Sequence, residues 1–179
     1  MAEAFSNKLT RAAGIVTTSS SGAVGITSTI ITGISTVGVA VSDLVDNTNF
    51  IAGTKVSAIG IGTVYADRAS TNEAAASAQI FRFLGMTTAY TSAAATKSIL
   101  IGGTFANNTE SQVNLTVEIH DASAGIQAAL ASKVPVPNGS SFVISDAGKT
   151  ILEATDEVRV FCDAANAIDV NLSILTGVS

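Results

Sequence analysis

The residues that could do chemistry are few and scattered. The single histidine, His120, stands beside Asp121. A Ser-His-Asp arrangement would also need a serine held in a strained turn with oxyanion donors close by. No G-x-S-x-G occurs, so His120 reads as a solvated or turn-capping residue and no catalytic residue is assigned. Carboxylates gather at Asp43 with Asp46 and at Glu153, Asp156 and Glu157. A calcium loop takes several oxygens in the order D-x-[DN]-x-[DN]-G, and neither group has that order. Asp156 reads as an acceptor for backbone donors at the turn before the next strand. Calcium at a subunit contact is the other reading, and no metal site or cofactor is assigned. The glycine-rich pieces GIGTVYADR and IGGTF lack the G-x-x-x-x-G-K-[ST] order and the strand-then-helix setting that aim backbone donors at a phosphate. Glycine here is turn chemistry.

The one cysteine, Cys162, excludes an intrachain disulfide and a cysteine-built metal cage. It alternates with Val158 and Val160 and is expected to be a buried thiol of the core.

These residues sit on segments that read as strands. In Val113–Asp121, Val113, Leu115, Val117 and Ile119 alternate with Asn114, Thr116, Glu118 and His120, giving one apolar and one wet face. Strand-like runs flank it: SILIGGTFAN before, then SSFVIS, KTILEA, EVRVFCD and AIDVNLSIL after. AGIQAALASKVPVP is expected to begin helically and end extended. Pro135 and Pro137 lack backbone donors and put this segment at a sheet edge, where they discourage strand addition. Asn138-Gly139 and Asp146-Ala147-Gly148 supply turns. Residues 97–179 therefore read as an antiparallel β-sandwich of jelly-roll or Ig-like type.

Upstream, the runs from Ala23 to Leu84 are short and β-branched, with Gly33, Gly38, Gly53, Gly60 and Gly62 as turns and bulges. Residues 21–85 read as a smaller β domain, in which 73–79 could form a single helical turn. Residues 86–96 (MTTAYTSAAAT) read as a linker, and 1–20 as an extended N-terminal arm, held by a neighbouring subunit or, as the alternative, laid as a first strand on the chain's own sheet. The fold class is all-β. Phe5, Leu9, Ile15 and Val16 on the arm, and Phe81, Phe83 and Leu84 before the linker, are the candidates for subunit contact. The last three either cap the smaller domain or meet the larger one.

Composition narrows the partners. Only 13% of residues are charged, about half the usual share of a soluble domain, and nearly half are Ala, Ser, Thr or Gly. Such a surface suits a protein packed against neighbours, or simply a β protein of modest stability. A net charge of −5 without a Lys/Arg cluster argues against nucleic acid. Mean hydropathy is +0.46, yet Ser and Thr interrupt every apolar run before about twenty residues, so no membrane partner is expected. The first twenty residues lack a secretory-type apolar segment, which points to synthesis in a cytosol.

Two segments resemble known proteins. The run 32–70, through Gly33, Ile34, Ser35 and Val41 and then Ile51, Ala52, Gly53, Thr54, Val56 and Ile59, looks like a β-module of tailed-bacteriophage virion proteins. The segments KSILIGGTFANNTESQVNLTVEI, VPVPNGSSFVI and ILEATDEVRVFCDAANAIDVNLSIL are similar to small β-sandwich structural proteins of phage particles, through Leu152, Asp156, Val158 and Val160 among others. The resemblance implies a non-enzymatic virion structural protein, a capsid decoration or cement protein assembled in the host cytoplasm. Its partners would be copies of itself and other virion proteins such as the major capsid protein. A neck, collar or tail-fibre-attachment protein is the alternative within that class. The chain has no long shaft, which speaks against a complete receptor-binding fibre. From a different class comes a module for host-surface glycans, which would expose aromatic rings such as Tyr65, Tyr90 or Phe142, although aromatics are only 5% of the chain.

Overall fold

The computed structural model describes residues 3–72, 79–145 and 149–178, and among these every regular element is a strand. The chain divides into two compact units, one formed by Met1–Gly14 and Thr87–Ser179, the other by Ile15–Met86.

In chain order, β1 (Ala4–Ala13) belongs to the larger unit. The smaller unit follows with β2 (Ile15–Ser19), β3 (Ala23–Val24), β4 (Ile30–Thr32), β5 (Leu44–Asp46), β6 (Val56–Gly60), β7 (Thr63–Ala66) and β8 (Phe81–Gly85). The larger unit resumes with β9 (Thr87–Thr91), β10 (Lys97–Asn107), β11 (Val113–Asp121), β12 (Ile126–Val136), β13 (Ser141–Ile144), β14 (Thr150–Leu152), β15 (Glu157–Cys162) and β16 (Ile168–Val178).

The larger unit is a β-sandwich. One antiparallel sheet runs β1-β16-β10-β13, with β14 also on β10; the other runs β12-β11-β15-β9. Alternation buries one face of each. Leu100, Phe105, Ile168, Val170, Leu172 and Ile174 from the first sheet meet Val113, Leu115, Val117, Val158, Val160 and Cys162 from the second. Cys162 is thus a buried core thiol beside Val158 and Val160, as its spacing predicts. β12 is a sheet edge, as Pro135 within it requires, and Pro135 pairs opposite Asn114.

Several expectations are corrected. The described part of 1–20 is not an arm left for a neighbour but strand within the chain, as the alternative reading had it: β1 pairs along β16 from Ala4↔Thr176 to Ala13↔Ile168, and β2 pairs with β8. The alternation is present in β1 but inverted, since Phe5 and Leu9 point away from the core while Ser6, Lys8 and Thr10 lie half-buried on the other side. The expected linker contains β9, which pairs with β15. The segment expected to start helically is strand from Ile126 onward. It is broken instead by slips of register against Leu115–Glu118, with Lys133 at φ 48°.

The wet face of β11 is covered too. Thr116 and Glu118 are buried, opposite the equally buried Phe161 and Arg159, and the Thr116 hydroxyl accepts the Lys133 N–H at 3.1 Å. The Asn138-Gly139 turn carries the chain from β12 to β13, which pairs with β10 in the other sheet. The helical turn expected at 73–79 and the Asp146-Ala147-Gly148 turn fall on positions outside the described residues, apart from Gln79.

The smaller unit has two antiparallel sheets, β2-β8-β5 and β3-β4-β7-β6. Its core gathers Val24, Ile31, Ile34, Val45, Phe50, Val56, Val64, Ala66, Phe81 and Phe83. Gly62 turns β6 into β7 at φ 61°, so the glycines of GIGTVYADR do serve a hairpin.

Candidate interaction surface

The ionisable groups singled out by sequence are not brought together. His120 Nδ1 lies 3.9 Å from Glu157 Oε2, too far for a hydrogen bond, and that oxygen accepts the Arg159 Nε–H at 2.7 Å. Asp121 turns to its own hairpin, where Oδ1 accepts the Ser123 N–H, the Ser123 hydroxyl and the Ala124 N–H. The Ser123 hydroxyl, with these backbone donors, holds its carboxyl below the usual carboxylate range.

The acidic groups disperse in the same way. Asp156 accepts the Ala122 and Glu153 N–H groups, which is the turn-satisfying role its position suggests. Glu153 reaches Lys97 Nζ at 3.0 Å. Asp46 faces Arg82 at 3.5 Å. Asp43 accepts the Ala40 N–H at 2.8 Å, and burial pushes its carboxyl up despite that bond. Among the described residues no three His, Cys, Asp or Glu side chains are placed to hold a metal.

The proposed stacking aromatics fare similarly. The Tyr90 hydroxyl is 2.8 Å from Ser98 Oγ and the ring packs against the sandwich core. Phe142 packs on Phe105 with ring centroids 6.3 Å apart. Tyr65 alone of the three turns outward.

What the larger unit does present is the outer face of its first sheet. Ladder register aligns Phe5, Leu175, Ile99 and Ile151 in one row across β1, β16, β10 and β14. Leu9, Asn171, Thr104 and Val143 form a second row, ending on β13. Phe5 is 77% exposed and Leu9 73%, while Val143 and Ile151 are more than half exposed. Between and beside the rows lie two open depressions. One, of about 420 Å³, is lined by Phe5, Asn7, Ile101 and Ser173; the other, of about 300 Å³, by Leu9, Arg11, Thr104, Ala106, Asp169 and Asn171. The first row is apolar throughout, and such a strip marks an interaction site more often than a lone exposed leucine does.

Of the contact candidates, Phe5 and Leu9 therefore stand on this face. Ile15 is half exposed and Val16 half-buried on β2. Phe81 and Phe83 are fully buried in the core of the smaller unit and Leu84 is buried beside them, so these three cannot offer a surface. Sequence reading missed Ile99, Val143, Ile151 and Leu175. Strand alternation gives each of them a face, but only the sheet's lateral order shows that the faces join.

No protein-family model matches this chain, and the comparisons with curated proteins and with solved structures give no match either.

Proposed function

We propose that this protein is a non-enzymatic structural component of a tailed-phage particle, acting through subunit contacts, most simply as a capsid decoration or cement protein. The observation that carries the contact part of this reading is the apolar row Phe5–Leu175–Ile99–Ile151 on the outer face of the sandwich. The resemblance to virion β proteins of two segments, which cover most of residues 32–175 and leave out 86–96, carries the rest. Covering such a face yields about 25 cal/mol per Å² of apolar area before association costs. Many copies on a lattice add avidity to contacts that are individually weak.

The test is the copy number of the chain relative to the major shell protein in purified particles, measured by quantitative mass spectrometry. A ratio near that of the shell protein supports decoration. A few per cent moves the protein to the neck or tail, and absence from particles overturns the reading. Deleting residues 1–20 is a poor test, since it strips β1 from β16 and β2 from β8. Phe5→Ser and Leu9→Ser probe the same contact without breaking a ladder.

A further inference from the structure

β1 is a long edge strand of the sandwich. Its sheet neighbour is β16 on one side, and among the described residues no strand pairs with it on the other, the Thr10 hydroxyl reaching the Ala89 carbonyl at 3.4 Å. The remaining edges of the two sheets are defended or short. β12 contains Pro135 and its slips of register, β9 has five residues, and β13 and β14 have four and three. Proline, bulges and shortness are the devices that keep sheet edges from pairing. The regular run of β1 lacks all three from Ala4 to Thr10; beyond it the ladder slips at Arg11 and Ala12, where Asp169 accepts the Ala12 N–H.

The order of residues along this run is self-complementary. On β1 the alternate positions Phe5, Asn7, Leu9 and Arg11 are exposed, and the exposed Glu3 stands just before the strand. An antiparallel copy with its two-fold axis at Asn7 would set Phe5 opposite Leu9 and Asn7 opposite Asn7, and would bring Glu3 and Arg11 together just beyond the two ends of the regular run. That axis also sits at the centre of the regular run. Moving the register by two residues leaves Phe5 facing Asn7 or Arg11 and Glu3 facing Leu9 or Ala13. Moving it by one joins the outer face of one copy to the inner face of the other.

We propose that two copies of this chain pair through β1 in this register, extending the sheet across both sandwiches. The partner is a second copy, and the interface is isologous. The apolar row Phe5–Leu175–Ile99–Ile151 of each copy then meets Leu9 of the other across the joint. This inference deepens the structural-protein reading by naming a partner, and it rests on that reading only for its purpose.

The test uses the full chain in solution. Sedimentation equilibrium should give a dimer that weakens with added salt. Glu3→Arg or Arg11→Glu alone should raise the dimer Kd about tenfold, because the two Glu3–Arg11 pairs turn from attractive to repulsive. The double variant should restore it to within about threefold of the parent. Asn7→Cys should form an intermolecular disulfide on mild oxidation, since directly opposed strand residues sit within disulfide reach and Cys162 is buried. A chain that stays monomeric overturns the inference, as does a dimer that is indifferent to both single charge reversals or that fails to cross-link at position 7. A monomer found in particles overturns this inference alone, whereas a β1 dimer absent from particles overturns the virion reading alone.

Discussion

Phe5 and Leu175 face each other across the β1–β16 ladder on the side of the sheet turned away from the core. Their neighbours Ile174 and Leu172 on β16 are fully buried on the opposite side. β16 thus serves the core with Ile168, Val170, Leu172 and Ile174, and of the residues between and directly after them Leu175 is the apolar one turned outward.

That difference predicts how two phenylalanines respond to the same change. Phe105 is fully buried against Phe142, so Phe105→Ala should cost about 3–5 kcal/mol of stability. Phe5→Ala should leave stability within about 0.5 kcal/mol while weakening self-association. Chemical denaturation and sedimentation on the two variants check this; a large stability loss from Phe5→Ala would mean that its ring is not outward.

Asn107 ties three segments of the sandwich. Its Nδ2 donates to the carbonyls of Ser111, Val136 and Pro137 at 2.8, 3.0 and 3.1 Å, and its Oδ1 accepts the N–H and hydroxyl of Thr109. Asn107→Ala takes the amide donor from the Val136 carbonyl and the acceptor from Thr109, while the Pro137 and Ser111 carbonyls keep Ser140 and Thr109, so it should cost about 1–3 kcal/mol. Asn107→Asp should be no better, because a carboxylate cannot donate to the carbonyls. Urea unfolding of the two variants gives the comparison.

Asp43 makes stability depend on pH with a definite sign. Burial raises its folded pKa above the usual 3.8, so the folded state holds the proton more tightly than the unfolded one. Between 3.8 and the raised folded value, stability therefore falls as pH rises, then levels off. Asp43→Asn keeps an oxygen acceptor for the Ala40 N–H and removes the buried charge. It should be at least as stable as the parent at pH 7 and flatter across that window. A variant that is less stable at pH 7 and as steep in pH would assign the effect elsewhere.

Gly14 takes φ 122°, and a Cβ there would run into the Ala164 carbonyl oxygen. Gly14 also accepts the Asn166 N–H through its own carbonyl at 2.9 Å. Gly14→Ala should cost at least about 2 kcal/mol, measured by thermal unfolding. Gly125→Ala, at φ 66° with open space around it, should cost less, since only the backbone term remains.

Much of the local structure was legible. The alternation of Val113–Ile119 and the buried position of Cys162 follow from a two-residue period, and the edge position of β12 follows from Pro135. The chemistry of the acidic groups was partly legible: Asp156 at a turn was, and the two-residue period already puts Glu157 and Arg159 on one strand face, but only the structure shows that the Glu157 oxygen bonded to Arg159 is the one 3.9 Å from His120.

The sequence by itself determined the all-β class and the strand-and-turn rhythm, because φ/ψ preference and alternation are properties of a few adjacent residues. Tertiary structure alone decided that β1 belongs to the sandwich, that Phe81 and Phe83 fill a core, and that Phe5, Leu175, Ile99 and Ile151 form one row. Those outcomes depend on which strand lies beside which. Ala4 meets Thr176 across nearly the whole length of the chain, and the free energy of such a contact resides in the pairing and burial of distant segments, with no local pattern to announce it.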